Sequence, residues 1–305
     1  MRPALSIVFF TVSSGAGLGL IALLVLADLL QLGGGLAVAQ ILTGGGLGLA
    51  MVAAGLVSST MHLATPKNAW RAFSRFSTSW LSREAVFAAA FFPACALYLA
   101  AVAGGWGAVR LPAAILTLLL AWAVLHSTAM IYASLKPIRQ WHTPLTPLAY
   151  MLLGHASGAL LLLWIATRGQ TRAMPYMVLA LVLLAGGVAA KLAYYARARA
   201  GGGPGIGEAL GVKSAAQVKL LDAGHSHGTF LTSEFVFHMA RAHAARLRAC
   251  VWAFGFAVPA VLVATLPDAA LLAALACLAG LLAERWLFFA EAQHTVTLYH
   301  GAPRA

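Results

Sequence analysis

The stretch ALSIVFFTVSSGAGLGLIALLVLAD (4–28) stays apolar for the length of a membrane-spanning helix, roughly 17–25 residues. Only Met1, Arg2 and Pro3 precede it. A secretory leader begins in the same way, but the apolar core of a leader is roughly 7–15 residues, so the run reads as a retained first helix. Seven further runs follow at 42–62, 85–104, 112–135, 146–166, 174–194, 249–266 and 269–290. The expected fold is all-α: a polytopic bundle of eight transmembrane helices forming one integral membrane domain over residues 1–305.

Composition excludes the soluble alternatives. The chain is 61% apolar and 9% charged with a mean hydropathy of +0.86, whereas soluble domains carry about 25% charge. The net charge of +12 does not imply nucleic acid, because the basic residues lie in short connections between spans rather than in a basic domain. Arg2, Lys67, Arg71, Arg75, Arg83, Lys136, Arg139 and the basic residues of 195–248 fall on one side; Arg110, Arg168 and Arg172 fall on the other. The positive-inside bias then places both termini in the cytoplasm. Cys95, Cys250 and Cys277 stand singly in apolar runs and carry no ligand or disulfide spacing, so no metal site is expected.

Most connections are short, as in a compact bundle of antiparallel neighbours. The exception is a long extramembrane connection over 195–248. It opens on RARAGGGPGIGEALG (197–211) and continues into a helix-forming segment with Phe230, Leu231, Phe235, Val236 and Met239 set among polar residues, the pattern of an interfacial helix. Glycines in GAGLGL (15–20) and TGGGLGLAMVAAG (43–55) read as close helix packing. They do not read as a nucleotide loop, since no strand precedes them. WLSREAVF (80–87) and FLTSEFVF (230–237) share Leu, Glu, Val and Phe in register. That echo fits a four-plus-four repeat or convergence at two helix starts.

Only eight residues are acidic, and ionisable groups in a membrane are costly enough to invite a functional reading. Glu84 lies at the mouth of the third span and His62 at the end of the second, joined by a connection that brings both to one membrane face. A carboxylate beside a histidine at the lipid boundary suits proton exchange with a lipid-soluble substrate. The competing reading of Glu84 is capping, with Ser82 as the cap residue. His126 and His155 are polar packing groups rather than haem ligands, because no helix carries two separated histidines for stacked haems. HSHG (225–228) has no third ligand for a metal. Glu284 and Glu291 share a helix face with Arg285 and Trp286 nearby, the pattern of an interfacial anchor whose charges snorkel to water.

Three segments, HLATPKNAWRAFSRFSTSWLSRE (62–84), YASLKPIRQWHTPLTP (132–147) and ERWLFFAEAQHTVTLYHG (284–301), together resemble the membrane anchor subunit (DmsC) family of dimethyl-sulfoxide-reductase-type molybdoenzymes. PALSIVFFTVSSGAGLGL (3–20) and the 220–248 segment fit the same family. The resemblance implies a multi-pass subunit of the bacterial inner (cytoplasmic) membrane, active in anaerobic respiration. Such a subunit oxidises menaquinol without haem or metal of its own. Its partners are a ferredoxin-like subunit with four iron–sulfur clusters and a molybdopterin catalytic subunit, which in this family faces the periplasm. It further implies that His62 and Glu84 serve the quinol directly, with Trp80 and Arg83 beside them, and that the aromatic, basic 67–83 loop helps to dock the iron–sulfur subunit. An anchor of a polysulfide or thiosulfate reductase complex is the neighbouring alternative. A secondary transporter is the alternative outside redox chemistry, and it would want charges at mid-depth.

Overall fold

The computed structural model describes residues 3–61, 66–200, 205–212, 218 and 238–300. Eight helices are long and apolar enough to cross a membrane: α1 Leu5–Leu29, α2 Val38–Thr60, α3 Trp80–Gly104, α4 Gly107–Ala133, α5 Leu145–Ala166, α6 Met174–Ala200, α7 and α8 Ala270–Ala290. The α7 span is composite. It runs over His238–Trp252, takes one π-helical turn at Ala253–Ala257 and continues over Val258–Thr265. Helices α6 and α7 thus take up both ends of the 195–248 connection; the echo segment 230–237 and HSHG (225–228) lie outside the described residues.

Two helices form the centre. Within the apolar windows, 83% of α1 and 72% of α5 is buried, against 28–50% for the others. Their backbones approach because each presents a Gly-x-x-x-Gly ridge, Gly15/Gly19 on α1 and Gly154/Gly158 on α5. A Cβ on Gly154 would stand 2.9 Å from the Gly15 carbonyl oxygen, and one on Gly158 would run into the backbone of Gly19 and Leu20. In lipid, where apolar burial drives little association, such close contact is a main source of helix affinity. Helix α2 packs on α1 in the same way at Gly17 and Gly48, aided by Ser13 Oγ donating to the Met51 carbonyl at 2.8 Å.

The packing order of the first four spans recurs in the last four: α1 on α2, α3 on α4 and α1 on α4 are matched by α5 on α6, α7 on α8 and α5 on α8. Odd helices run away from the face that carries the N terminus, and even ones return to it. Glu84, Thr128, Lys191 and Glu284 therefore fall in the half of the bundle next to that N-terminal face.

On the opposite face Asp28, 2% exposed, closes α1 against α3 and α4. It accepts from Tyr98 Oη at 2.8 Å, from Arg110 Nε at 3.2 Å and from a second Arg110 nitrogen. The pair is asymmetric, since the Arg110 side chain is 36% exposed and that of Asp28 1%. Arg110→Met strands a buried carboxylate, whereas Asp28→Asn leaves a cation that reaches water. Arg110→Met is expected to cost about 2 kcal/mol and Asp28→Asn about 1 kcal/mol, an order that thermal unfolding of the purified complex would check.

Candidate functional site

The stretch STSWLSREAVF (77–87) builds the mouth of α3. Ser79, in extended conformation, is its N-cap, and its hydroxyl accepts from the Ser82 backbone N–H at 3.4 Å. Ser82 is inside the helix, where its hydroxyl accepts from the Arg75 N–H at 3.2 Å. The capping expectation for Glu84 therefore fails. With the cap at Ser79 the first turn holds no acid, and Glu84 lies one turn deeper, 4% exposed.

The Glu84 carboxylate instead meets Thr128 of α4, whose hydroxyl donates to it. Thr128 Oγ1 also stands 3.0 Å from the Val124 carbonyl oxygen. One hydroxyl has a single hydrogen and two lone pairs, so this geometry serves both states of the acid. With Glu84 ionised, Thr128 donates to the carboxylate. With Glu84 protonated, the carboxyl donates to Oγ1 and the threonine hydrogen turns to Val124. A proton can arrive or leave with one hydroxyl rotation and no movement of heavier atoms.

Trp80 lies one helical turn before Glu84, half-buried, with its ring edge-on to His126 of α4 at 5.8 Å between centroids. Arg83 covers the Trp80 ring at 4.2 Å and donates to the carbonyls of Phe76 and Ser77 at 3.0 and 2.8 Å. Arg83 thereby fastens the preceding loop to α3. The structure thus gathers Trp80, Arg83 and Glu84 on the first two turns of one helix, while His62 lies outside the described residues. His126 faces outward on α4. Both ring nitrogens of His155 are engaged: Nδ1 faces the Met151 carbonyl at 2.7 Å and Nε2 accepts from Trp122 Nε1 at 3.0 Å.

A second polar cluster crosses the same half of the bundle. Glu284 of α8 is fully buried, with Lys191 Nζ of α6 at 2.5 Å and Arg285 Nε at 3.3 Å. The snorkelling expectation for Glu284 is thus wrong, because its charge is met inside the protein rather than by water. It holds better for Glu291, which pairs with Arg248 at the surface, both part-exposed. Arg285 lies 3.6 Å from the Tyr150 ring centroid and 5.5 Å from that of Phe288, and Tyr150 stacks on Tyr132 at 5.8 Å. Sequence reading missed Lys191, although a lone lysine inside span six carried the signal. It also missed Thr128, which offers none. Among the described residues no group of three or more His, Cys, Asp or Glu could hold a metal ion.

The family described as DMSO reductase anchor subunit (DmsC) matches residues 1–290. The C subunit of the sulfite dehydrogenase of Allochromatium vinosum is 34% identical over 331 residues, covering 98% of this chain and 99% of the relative. No solved structure matches.

Proposed function

This chain belongs to the DMSO reductase anchor subunit (DmsC) family of membrane anchors of molybdoenzyme complexes, and from that premise we propose that it oxidises menaquinol at a site centred on Glu84. Quinol oxidation releases two electrons and two protons, so the site needs an apolar slot, a proton acceptor and an electron acceptor nearby. The observation that carries the reading is the buried Glu84 carboxylate on Thr128, a pair that accommodates either protonation state.

Glu84 takes one proton and His62 is assigned the other. Trp80, one turn before Glu84, and His126, edge-on to it, supply an aromatic surface beside the carboxylate for the quinol ring. The electrons pass to an iron–sulfur subunit docked on the N-terminal face, and from there to the molybdopterin subunit; because the family's catalytic pair faces the periplasm, this reading puts that face outside, against the positive-inside bias of its loops. That face presents the 3₁₀ segment Pro66–Phe73, where Trp70 is 65% and Phe73 51% exposed beside Lys67, Arg71 and Arg75. Aromatic residues and arginine are the types enriched at protein interfaces. The assembly belongs in the bacterial inner membrane.

The relative from Allochromatium vinosum favours a second reading, in which electrons run the other way. A sulfite dehydrogenase withdraws two electrons from sulfite, and its anchor would hand them to a quinone. Glu84 then gives a proton instead of taking one. Assays of the purified complex with sulfite plus an oxidised quinone, and with a quinol plus dimethyl sulfoxide, separate the two directions.

Glu84→Gln is expected to lower quinone-linked turnover about a hundredfold or more, since a positioned acid–base group contributes roughly 10²–10⁴-fold. Turnover driven by an artificial dye that feeds the partner subunits directly, and assembly of the complex, should be unaltered. Thr128→Val is expected to reproduce part of the loss and Thr128→Ser to restore it. Unchanged quinone turnover in Glu84→Gln would remove Glu84 from the chemistry.

A further inference from the structure

Between α1, α5 and α8 lies a cavity of about 10 Å³, close to the smallest space that holds one water molecule. Tyr150 and Arg285 both line it. Each is at least nine-tenths buried, at 2% and 4% exposure. The Tyr150 hydroxyl and the Arg285 Nη1 atom have no hydrogen-bond partner among the described residues. Their contact with one another is a cation–π placement, with the guanidinium carbon 3.6 Å from the ring centroid, a geometry that aims the arginine at the ring face rather than at the hydroxyl lone pairs. Leaving buried donors unmet is destabilising, and both line the same cavity.

The remaining polar groups of the wall are acceptors. Thr11 Oγ1 donates its hydrogen to the carbonyls of Ile7 and Val8 at 3.0 and 3.1 Å. Ser157 Oγ donates to Leu153 and Gly154 at 2.9 and 3.0 Å. With their hydrogens committed to their own helices, both oxygens have lone pairs left for a donor. The residues lining the cavity therefore carry two donors and two acceptors, the full complement of one water.

We propose that an ordered water occupies this cavity, accepting from Arg285 Nη1 and the Tyr150 hydroxyl and donating to Thr11 and Ser157. Other ligands fit worse. A metal cation would face the guanidinium, beside a cluster whose two cations already exceed its one carboxylate. A chloride ion would suit that charge, but it is larger than a water and the cavity is too small for it. The water would pin the Tyr150 ring between Arg285 and Tyr132, and tie the ion-pair cluster to α1 where the two halves of the bundle meet. None of this depends on the quinone reading.

The test is the sign of the stability change in the purified complex. In a dry cavity, Tyr150→Phe removes an unmet hydroxyl and should leave the apparent Tm unchanged or raised. With the water bound, the substitution removes one of its partners and should lower the apparent Tm by about 2–4 °C. Thr11→Val combined with Ser157→Ala should do likewise, whereas in a dry cavity those hydroxyls serve only their own helices and their loss is nearly neutral. Should the variants fail to assemble, a cryo-EM map of the wild-type complex that resolves ordered waters decides directly. Density within hydrogen-bond distance of both Tyr150 Oη and Arg285 Nη1 supports the proposal. Absent density, or an apparent Tm of Tyr150→Phe at or above wild type, overturns it.

Discussion

Gly158→Leu is expected to abolish accumulation of the folded chain in the membrane, while Gly46→Leu accumulates like the wild type. The difference lies in what each new side chain meets. A single Cβ on Gly158 already overlaps the α1 backbone at Gly19 and Leu20, and a backbone cannot turn aside as a flexible side chain can. Relief requires α1 and α5 to separate, yet these are the two most buried spans, and both halves of the bundle pack against them. Overpacking commonly costs about 1–3 kcal/mol where side chains yield. Here several atoms would press on a rigid helix, so the cost approaches the whole stability of a typical fold, about 5–15 kcal/mol. A Cβ on Gly46 meets nothing within 4 Å, which makes it a control matched in residue type and membrane setting. Size-exclusion of detergent-solubilised membranes reads both variants. Equal monodisperse yields would show that the α1–α5 crossing is looser than its glycines imply.

The eight spans were legible because membrane insertion is decided by local hydropathy, which the chain displays openly. The ends were less so, for a physical reason. Helix α2 starts at Val38 rather than near 42, and α4 at Gly107 rather than near 112, because the polar residues there are matched by distant partners. Gln40 Nε2 donates to the carbonyls of Ile165 and Ala166 at the end of α5, and Arg110 meets Asp28. Hydropathy scores such a residue as a cost and is blind to its partner.

The site shows the same division. Glu84 stood out as an acid in an apolar setting, but STSWLSRE offers three serines and a threonine able to cap a helix. The choice of Ser79 over Ser82 rests on a hydrogen bond from Arg75, seven residues before Ser82. Thr128 is an ordinary residue of an apolar run, and its role arises only once α4 lies against α3. His126 and His155, expected as polar packing groups, meet Trp80 and Trp122, partners that only the assembled bundle brings to them.

Glu284→Gln is expected to destabilise the complex by about 3–5 kcal/mol, the cost of breaking a buried ion pair from one side. Lys191→Met should cost less. The cluster holds two cations and one carboxylate, with side-chain exposures of 2% for Lys191, 5% for Arg285 and 0% for Glu284. Removing the lysine leaves a neutral Arg285–Glu284 pair. Removing the carboxylate leaves two buried cations facing each other beside aromatic faces: Tyr194 and Tyr195 at 4.3 and 4.6 Å from the lysine nitrogen, and Tyr150 under the arginine. Desolvated cation–π contacts contribute about 2 kcal/mol each, which tolerates one surplus charge but not two. The double variant Glu284→Gln with Lys191→Met retains a single cation over its aromatic ring, so it should recover about half of the loss, a coupling that a double-mutant cycle isolates. Apparent unfolding temperatures of the four purified forms supply the measurement. A lysine variant less stable than the glutamate variant, or a double no better than Glu284→Gln alone, would mean that packing rather than charge balance holds α6 to α8.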